Sequence, residues 1–91
     1  MVLYKSYPTL DLHGMDQEIA RLKVREFLED ASELKYPYVI IMHGIGQGIL
    51  RKCVHSYLKN DKNVLEYKLD FMNPGCTIVK LKEKIDKTKE K

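Results

Sequence analysis

The segment from Tyr38 to Gly48, with the sequence YVIIMHGIGQG, decides the fold that we expect for this chain of 91 residues. Its first five residues are apolar and rich in β-branched side chains, which is typical of a central strand covered on both faces. The apolar run stops at His43-Gly44, and glycines at alternate positions lead into apolar residues at helical spacing. The segment therefore predicts a buried strand, a tight turn and the start of a helix.

A second unit of the same kind precedes this segment. Two leucines alternate with polar residues between positions 8 and 14, which predicts a short strand with Asp11 and His13 on the face opposite the leucines. Asp16 is expected to cap the helix that follows, because a short acidic side chain can accept a hydrogen bond from the first turn. The apolar positions of this helix recur at helical spacing until residues 36 and 37 end the pattern.

The rest of the chain predicts a second helix and a hairpin. Apolar spacing after the glycine turn favours a helix that ends near residues 59 and 60. Two alternating runs, from Val64 to Phe71 and from Cys76 to Leu81, flank Asn73-Pro74-Gly75 and are expected to pair as antiparallel strands. The order is then β-α-β-α-β-β in an α/β fold, a mixed sheet whose first two strands are parallel and joined by right-handed crossovers. Whether both helices cover one face stays open, because residues 2 to 7 or another subunit could cover the second face of the central strand.

Length and composition predict one compact domain. We expect an N-terminal arm over residues 1 to 7, a domain over residues 8 to 82 and a charged, flexible tail over residues 83 to 91. The longest apolar run is too short to span a bilayer and the first residues lack the apolar stretch of a secretory signal, so we expect a cytoplasmic protein without membrane contact. Cys53 and Cys76 have no neighbouring ligand pattern, so buried free thiols are expected in place of a zinc site.

The net charge of +3 comes from the end of the chain. Residues 80 to 91 contain six lysines and three acidic residues, and removing them from totals of 16 basic and 13 acidic residues leaves ten of each in residues 1 to 79. A polyanion would therefore be attracted by a local patch, by backbone donors or by this tail, and not by the domain as a whole. Lys80, the first of these lysines, is a candidate for contact with a phosphate.

Both polar clusters of the chain fall at the carboxyl ends of predicted parallel strands, where ligands bind in open α/β sheets. If the two strands are neighbours, Asp11, His13 and His43 meet over a glycine-rich helix start. Glycine lets the backbone approach a ligand, and the free N–H groups and positive end of a helix favour phosphate. Each element alone has a structural explanation, as a turn or a cap, and it is their coincidence that favours a site. His55 lies within the second helix, away from this edge, and is expected to be an ordinary solvated histidine.

Three blocks of the sequence resemble those of the Smr (small MutS-related) domain family. They are Leu10-Asp11-Leu12-His13-Gly14, then His43-Gly44-x-Gly46-x-Gly48-x-Leu50-Arg51, and then Thr77-Ile78-Val79-Lys80-Leu81. The resemblance covers residues 8 to 82, nearly the whole predicted domain. It implies a two-layer α/β sandwich similar to the C-terminal domain of a bacterial translation initiation factor. It also implies an association with nicking or cleaving DNA or RNA, either as a free-standing protein or as the C-terminal part of a MutS2-like ATPase.

The resemblance also implies roles for individual residues. Asp11 and His13 match the DxH pair of the family, and Arg51 matches the basic residue that usually follows the glycine turn. The turn itself is matched by Gly44, Gly46 and Gly48. The segment from Asn73 to Cys76 departs from the pattern, because many members have a glycine-rich loop before the last strand.

The side chains at this end of the predicted sheet favour cleavage of a phosphodiester without a metal ion. Two-metal cleavage needs several carboxylates, and this end of the sheet offers only Asp11. His13 and His43 are therefore expected to act as general acid and base, with Asp11 orienting an imidazole or accepting a proton. The glycine turn and Arg51 would hold the scissile phosphate. This route favours RNA, which supplies its own 2′-hydroxyl as nucleophile, and it requires no cofactor.

Three alternatives stay open at this point. A divalent metal could be held by Asp11, His13 and His43 in a site with two histidines and one carboxylate. The domain could instead bind DNA or RNA without cleaving it, for example as a docking module on structured RNA at the ribosome. It could also serve mainly for contacts with other proteins.

Overall fold

The computed structural model describes residues 7–83 and contains four strands and two helices in the predicted order. They are β1 (Thr9–Asp11), α1 (Gln17–Glu33), β2 (Tyr38–Met42), α2 (Ile49–Lys59), β3 (Val64–Leu69) and β4 (Cys76–Leu81). The α/β fold class is thereby confirmed. Most of the predicted arm, residues 1–6, and most of the predicted tail, residues 84–91, lie outside the described residues, so the predicted domain limits stay predictions.

The four strands form one mixed sheet in the order β1-β2-β4-β3. β1 pairs with β2 in parallel, with Asp11 opposite Met42, and β2 pairs with β4 in antiparallel fashion, with Met42 opposite Cys76. β3 and β4 form the predicted antiparallel hairpin. The central position of β2 confirms the interpretation of its apolar run. One edge of the sheet therefore gathers the carboxyl ends of β1 and β2 and the beginning of β4.

Both helices cover the same face of the sheet, which answers the question that the sequence left open. The hydrophobic core combines residues of both helices with Val39, Ile41 and Val79, which project to one face because alternate strand positions share a face. α1 begins as predicted: Asp16 is its N-cap, and Oδ1 of Asp16 accepts a hydrogen bond of 2.9 Å from the N–H of Ile19. The result is the two-layer sandwich that the resemblance implied.

The end of β3 differs from the prediction. The strand stops at Leu69 and not at Phe71, and Phe71 is 94% exposed. The side chain of Asp70 accounts for the stop, because its Oδ1 accepts a hydrogen bond of 2.9 Å from the N–H of Met72 and turns the chain away from the sheet. The alternation of apolar and polar residues in the sequence could not indicate this turn, because Phe71 continues the apolar spacing of the strand.

Cys53 and Cys76 are buried free thiols, as predicted. Sγ of Cys53 lies 3.8 Å from the main-chain oxygen of Gln17, so this thiol packs between α2 and the start of α1. Within residues 7–83, neither helix is long and apolar enough to cross a membrane.

Two leucines, one within α1 and one directly after it, test the packing of this helix. Leu28 is fully buried, whereas Leu34, at the C-terminal end, is 69% exposed. Leu28→Ala is expected to lower the free energy of unfolding by about 2–5 kcal/mol, because it removes buried apolar atoms and leaves a cavity. Leu34→Ala, the control, is expected to change it by less than about 0.5 kcal/mol. Equilibrium unfolding in urea measures both values, and equal losses would show that α1 does not pack as described.

Candidate functional site

The polar residues that follow β1 and β2 meet at one edge of the sheet. The N–H of Leu12 donates to the main-chain oxygen of Met42 at 2.9 Å, which extends the parallel pairing one residue beyond β1. This edge opens into a cleft of about 400 Å³. Its walls are formed by Asp11, His13, Gly14, Met42, His43, Gly44, Ile45, Leu50, Asn73, Gly75 and Cys76. The structure thus brings the DxH pair and the beginning of the glycine turn to the same cleft.

Asp11 and His13 are both exposed, on either side of a buried residue in the chain. Leu12 between them is fully buried, and the alternation of an extended chain then turns the two polar side chains outward. Oδ1 of Asp11 also accepts a hydrogen bond of 2.9 Å from the N–H of His13. The carboxylate therefore lines the cleft and also holds the turn that presents the imidazole.

The glycine turn requires glycine where the sequence indicated it. Gly44, Gly46 and Gly48 have positive φ angles of 84°, 35° and 81°, in a region that residues with a Cβ rarely adopt. Gly48 is the N-cap of α2 and gives no side-chain hydrogen bond to the first turn, which also lacks an acidic residue. The amides at the start of α2 are therefore left to water or to a ligand, at the positive end of the helix dipole.

Arg51 lies over this helix start. A Cβ on Gly48 would stand 2.8 Å from Nη2 of Arg51, so the guanidinium lies close to the backbone of Gly48. Burial is the main cause of the lowered pKa of His43 and of His55, and the positive charge of Arg51 lowers both further. Arg51 therefore adds a cation beside the amides of the first turn and close to two imidazoles.

His43 is held inside the protein and is only 6% exposed. Nδ1 lies 3.1 Å from the main-chain oxygen of Gly44, and Nε2 lies 2.7 Å from Oγ1 of Thr77. Burial lowers the pKa of His43, and the hydrogen bond to Gly44 raises it. The positive charge of Arg51 lowers it further. His43 thus forms part of the cleft wall with both ring nitrogens engaged by the protein.

His55 and Thr77 belong to the site, although the sequence analysis assigned neither of them a role there. The expectation that His55 is solvated and away from this edge is wrong: its Nε2 lies 2.7 Å from Oγ1 of Thr77, and its ring centre lies 5.9 Å from that of His43 and 4.9 Å from that of Tyr67. Burial lowers the pKa of His55, with further contributions from His43 and Arg51. Thr77 is fully buried. A threonine on the apolar face of a strand was the available signal, because a buried hydroxyl needs a partner.

The loop before β4 supports the glycine turn. The main-chain oxygen of Gly75 accepts hydrogen bonds from the N–H groups of His43, at 2.9 Å, and of Gly44, at 3.0 Å. Oδ1 of Asn73 accepts a hydrogen bond of 3.0 Å from the N–H of Gly75, which holds the loop itself. The short loop of this chain therefore reaches the cleft and fixes the beginning of the turn.

The positions of the side chains that could bind a metal ion test the alternative of a divalent metal site. Within residues 7–83, no group of three or more His, Cys, Asp and Glu side chains is placed to hold a metal ion. A site formed by Asp11, His13 and His43 would need a ring nitrogen of His43, and both nitrogens already have partners in the protein. Burial, Asp70 and Asp11 raise the pKa of Cys76, and a protonated thiol is a poor ligand and nucleophile.

Lys80 is not brought to the cleft. It pairs with Tyr38 at the beginning of β2, whereas the cleft lies beyond Met42 at the other end of that strand. The four steps along the chain from Tyr38 to Met42 separate the two ends of β2 by roughly 13 Å in an extended chain. A phosphate at the glycine turn would therefore be held without Lys80.

Comparison with known proteins adds a second kind of observation. The profile of the Smr domain matches residues 10–82, which is most of the chain. Endonuclease MutS2 of Bacillus cytotoxicus is 42% identical over 76 residues, and endonuclease MutS2 of Symbiobacterium thermophilum is 40% identical over 79 residues. These matches cover 80% and 84% of this chain but 10% of each relative, so the chain spans about a tenth of their length.

Two solved structures share the fold. The Smr domain of Thermus thermophilus MutS2 matches with a TM-score of 0.80 at 31% sequence identity, over 82% of this chain and 98% of that one. YdaL, a stand-alone small MutS-related protein from Escherichia coli, matches with a TM-score of 0.75 at 26% identity, over 85% of this chain and 68% of that one. The family profile and the shared fold together show that the chain belongs to the Smr domain family.

Proposed function

We propose that this domain binds single-stranded RNA in the cleft at the ends of β1 and β2 and cleaves its backbone without a metal ion. The observation that carries the proposal is the convergence, at one cleft, of Asp11 and His13 with Gly44 and Ile45, the beginning of the glycine turn that leads into the uncapped start of α2. The name of the relatives, endonuclease MutS2, supports a nucleolytic role for the family member described here.

In this proposal, a phosphate of the strand lies at the start of α2. The amide N–H groups of the first turn and the positive end of the helix dipole favour an anion there. The glycines at positions 44, 46 and 48 have no side chains that would keep a phosphate from the backbone. Arg51 adds a planar set of donors that matches the geometry of phosphate oxygens. Such contacts reach only the sugar-phosphate backbone, so they predict affinity without base preference.

The size of the cleft favours an unpaired strand. Its volume of about 400 Å³ lies near the lower end of the range of small-ligand sites, about 300–1,000 Å³, which suits one nucleotide better than a base pair. Ile45 in the cleft wall is 65% exposed, and Phe71, two residues before Asn73 of the wall, is 94% exposed. Exposed aromatic side chains are typical of proteins that stack unpaired bases, and Phe71 is such a side chain close to the cleft wall in the chain.

Cleavage of RNA in this cleft would need one proton acceptor from the protein. The 2′-hydroxyl gives its proton to His13 while the 2′ oxygen forms a bond to phosphorus, and the bond from phosphorus to the 5′ oxygen breaks as that oxygen takes a proton from water. Asp11 holds the main chain of His13 and adds a carboxylate to the same cleft, where it is proposed to orient the imidazole. Arg51 and the amides of α2 stabilise the negative charge on the phosphate. DNA lacks the 2′-hydroxyl and is not cleaved by this route.

His13→Ala and Asp11→Asn are expected to lose cleavage and to keep binding. Loss of a group that takes part in proton transfer typically lowers the rate by about 10²- to 10⁴-fold. Asparagine at position 11 can still accept the hydrogen bond from the N–H of His13, so Asp11→Asn tests the charge and not the turn. Binding by His13→Ala should be unchanged. Binding by Asp11→Asn should be unchanged or slightly tighter, because a negative charge is removed from the surroundings of the phosphate. The measurement is cleavage of end-labelled RNA and of the matching DNA, with EDTA or with added magnesium, beside a binding titration.

Asp30→Asn is the matched control for Asp11→Asn, because Asp30 is exposed near the end of α1 and its loss removes the same charge elsewhere. It should leave cleavage at the wild-type rate. Cleavage that requires magnesium would overturn the metal-free mechanism. RNA binding by the wild-type protein without any cleavage would overturn the enzymatic proposal and favour a docking module for structured RNA or the ribosome.

Arg51→Gln is expected to weaken binding of single-stranded RNA by about 1.5–3 kcal/mol, the range for hydrogen bonds to charged groups. The slope of log affinity against log salt concentration should also fall by about one, as for the loss of one phosphate contact. Lys52→Gln is the control, because Lys52 is exposed on the same turn of α2 and carries the same charge. Fluorescence anisotropy at several salt concentrations measures both variants. Equal weakening by the two would show that general charge, and not a phosphate at the start of α2, accounts for binding.

A further inference from the structure

A chain of hydrogen bonds runs from the cleft wall into the protein behind it. It joins the main-chain oxygen of Gly44, the ring of His43, the hydroxyl of Thr77 and the ring of His55, at successive distances of 3.1, 2.7 and 2.7 Å. The ring of His55 also packs against Tyr67 of β3. The chain therefore ties the glycine turn to β4, α2 and β3.

The positions of the protons in this chain follow from its groups. A carbonyl oxygen can only accept, so Nδ1 of His43 carries a proton that it donates to Gly44. When the ring of His43 is neutral, its Nε2 is bare and accepts the hydroxyl proton of Thr77. The oxygen of Thr77 then has only lone pairs for His55, so Nε2 of His55 carries a proton. The two imidazoles are thus held as opposite tautomers.

The surroundings favour the neutral form of both rings. Burial lowers the pKa of His43, against the opposing effect of its hydrogen bond to Gly44, and Arg51 lowers it further. Burial also lowers the pKa of His55, and the neighbouring His43 and Arg51 add to this effect. If Nε2 of His43 gained a proton, it would donate a hydrogen bond to Oγ1 of Thr77, so in both protonation states both ring nitrogens have partners within the protein and neither is open to the substrate.

We propose that Thr77 and His55 are positioning residues that, together with the carbonyl of Gly44, hold His43 as the tautomer protonated at Nδ1, so that His43 holds the glycine turn. His13 is then the imidazole that exchanges a proton with RNA. This assignment of His13 rests on the proposed function, whereas the state of His43 rests on the hydrogen bonds alone. It replaces the expectation that His43 acts as a general acid or base. Thr77 and His55 affect cleavage without touching the substrate.

NMR of the whole chain with ¹⁵N-labelled histidine tests the tautomers without any substrate. At a pH above the ordinary pKa of histidine, His43 should show a protonated Nδ1 and a bare Nε2, and His55 the opposite pattern. Thr77→Ser keeps the hydroxyl and should keep both patterns. Thr77→Val removes the hydrogen-bond partner of Nε2 of His55 and should lose the pattern of His55, whereas the carbonyl of Gly44 still favours a protonated Nδ1 on His43. His13, which is exposed, is the internal reference for a ring without a fixed tautomer. If Thr77→Val fails to fold, the wild type and Thr77→Ser still decide, and a bare Nδ1 on wild-type His43 would overturn the proposal.

Cleavage by His43→Asn separates positioning from catalysis. The amide nitrogen of asparagine can take the place of Nδ1 as donor to Gly44, but it cannot exchange a proton with the substrate. Positioning predicts that His43→Asn retains more cleavage than His43→Ala. A role as acid or base predicts that both variants lose about 10²- to 10⁴-fold, and this result would overturn the proposal. Fixed tautomers in a wild-type protein that does not cleave RNA would support the positioning chain and contradict the proposed function.

Discussion

The parallel pairing of β1 with β2 is the constraint on which the whole site depends. Its register sets Asp11 opposite Met42, so that both strands end at the same level and the two polar segments begin side by side. A shift of one residue would turn Asp11 and His13 toward the helices and Leu12 toward solvent. Leu12 opposes such a shift, because full burial of a leucine side chain stabilises a fold by about 1.5–3 kcal/mol. The side chain that anchors the strand therefore also sets the direction of the two groups in the cleft.

The site combines a rigid interior with an accessible surface. Among residues 7–83, no buried side-chain nitrogen or oxygen lacks a hydrogen-bond partner, and the His43, Thr77 and His55 chain is part of this satisfied interior. Leaving one of these groups without its partner would cost about 1–3 kcal/mol, so the chain holds the glycine turn in one arrangement. Asp11 and His13, in contrast, are exposed. In the proposed function, this interior fixes where a phosphate lies, and the exposed pair acts on it.

The sequence predicted the elements of this fold because each apolar pattern reports the face on which a residue lies. It predicted the sheet edge as the site for the same reason, since both polar segments follow parallel strands. It could not predict the partners of His55 and Thr77, because their contact depends on β4 lying next to β2 beneath α2, and the strand order β1-β2-β4-β3 is a property of the whole sheet. Phe71 was misplaced because the turn at Asp70 depends on a side-chain hydrogen bond that leaves the apolar spacing unchanged.

Nucleic acid is proposed to bind at the edge of the sheet, with a phosphate at the start of α2. A titration of the ¹⁵N-labelled chain with a short single-stranded RNA, followed by the chemical shifts of the backbone amides, is the most direct test of this binding. The largest shifts are expected in residues 11–14 and 44–51, which form the cleft and the start of the helix. Shifts confined to the strand around Lys80, with the glycine turn unchanged, would contradict it.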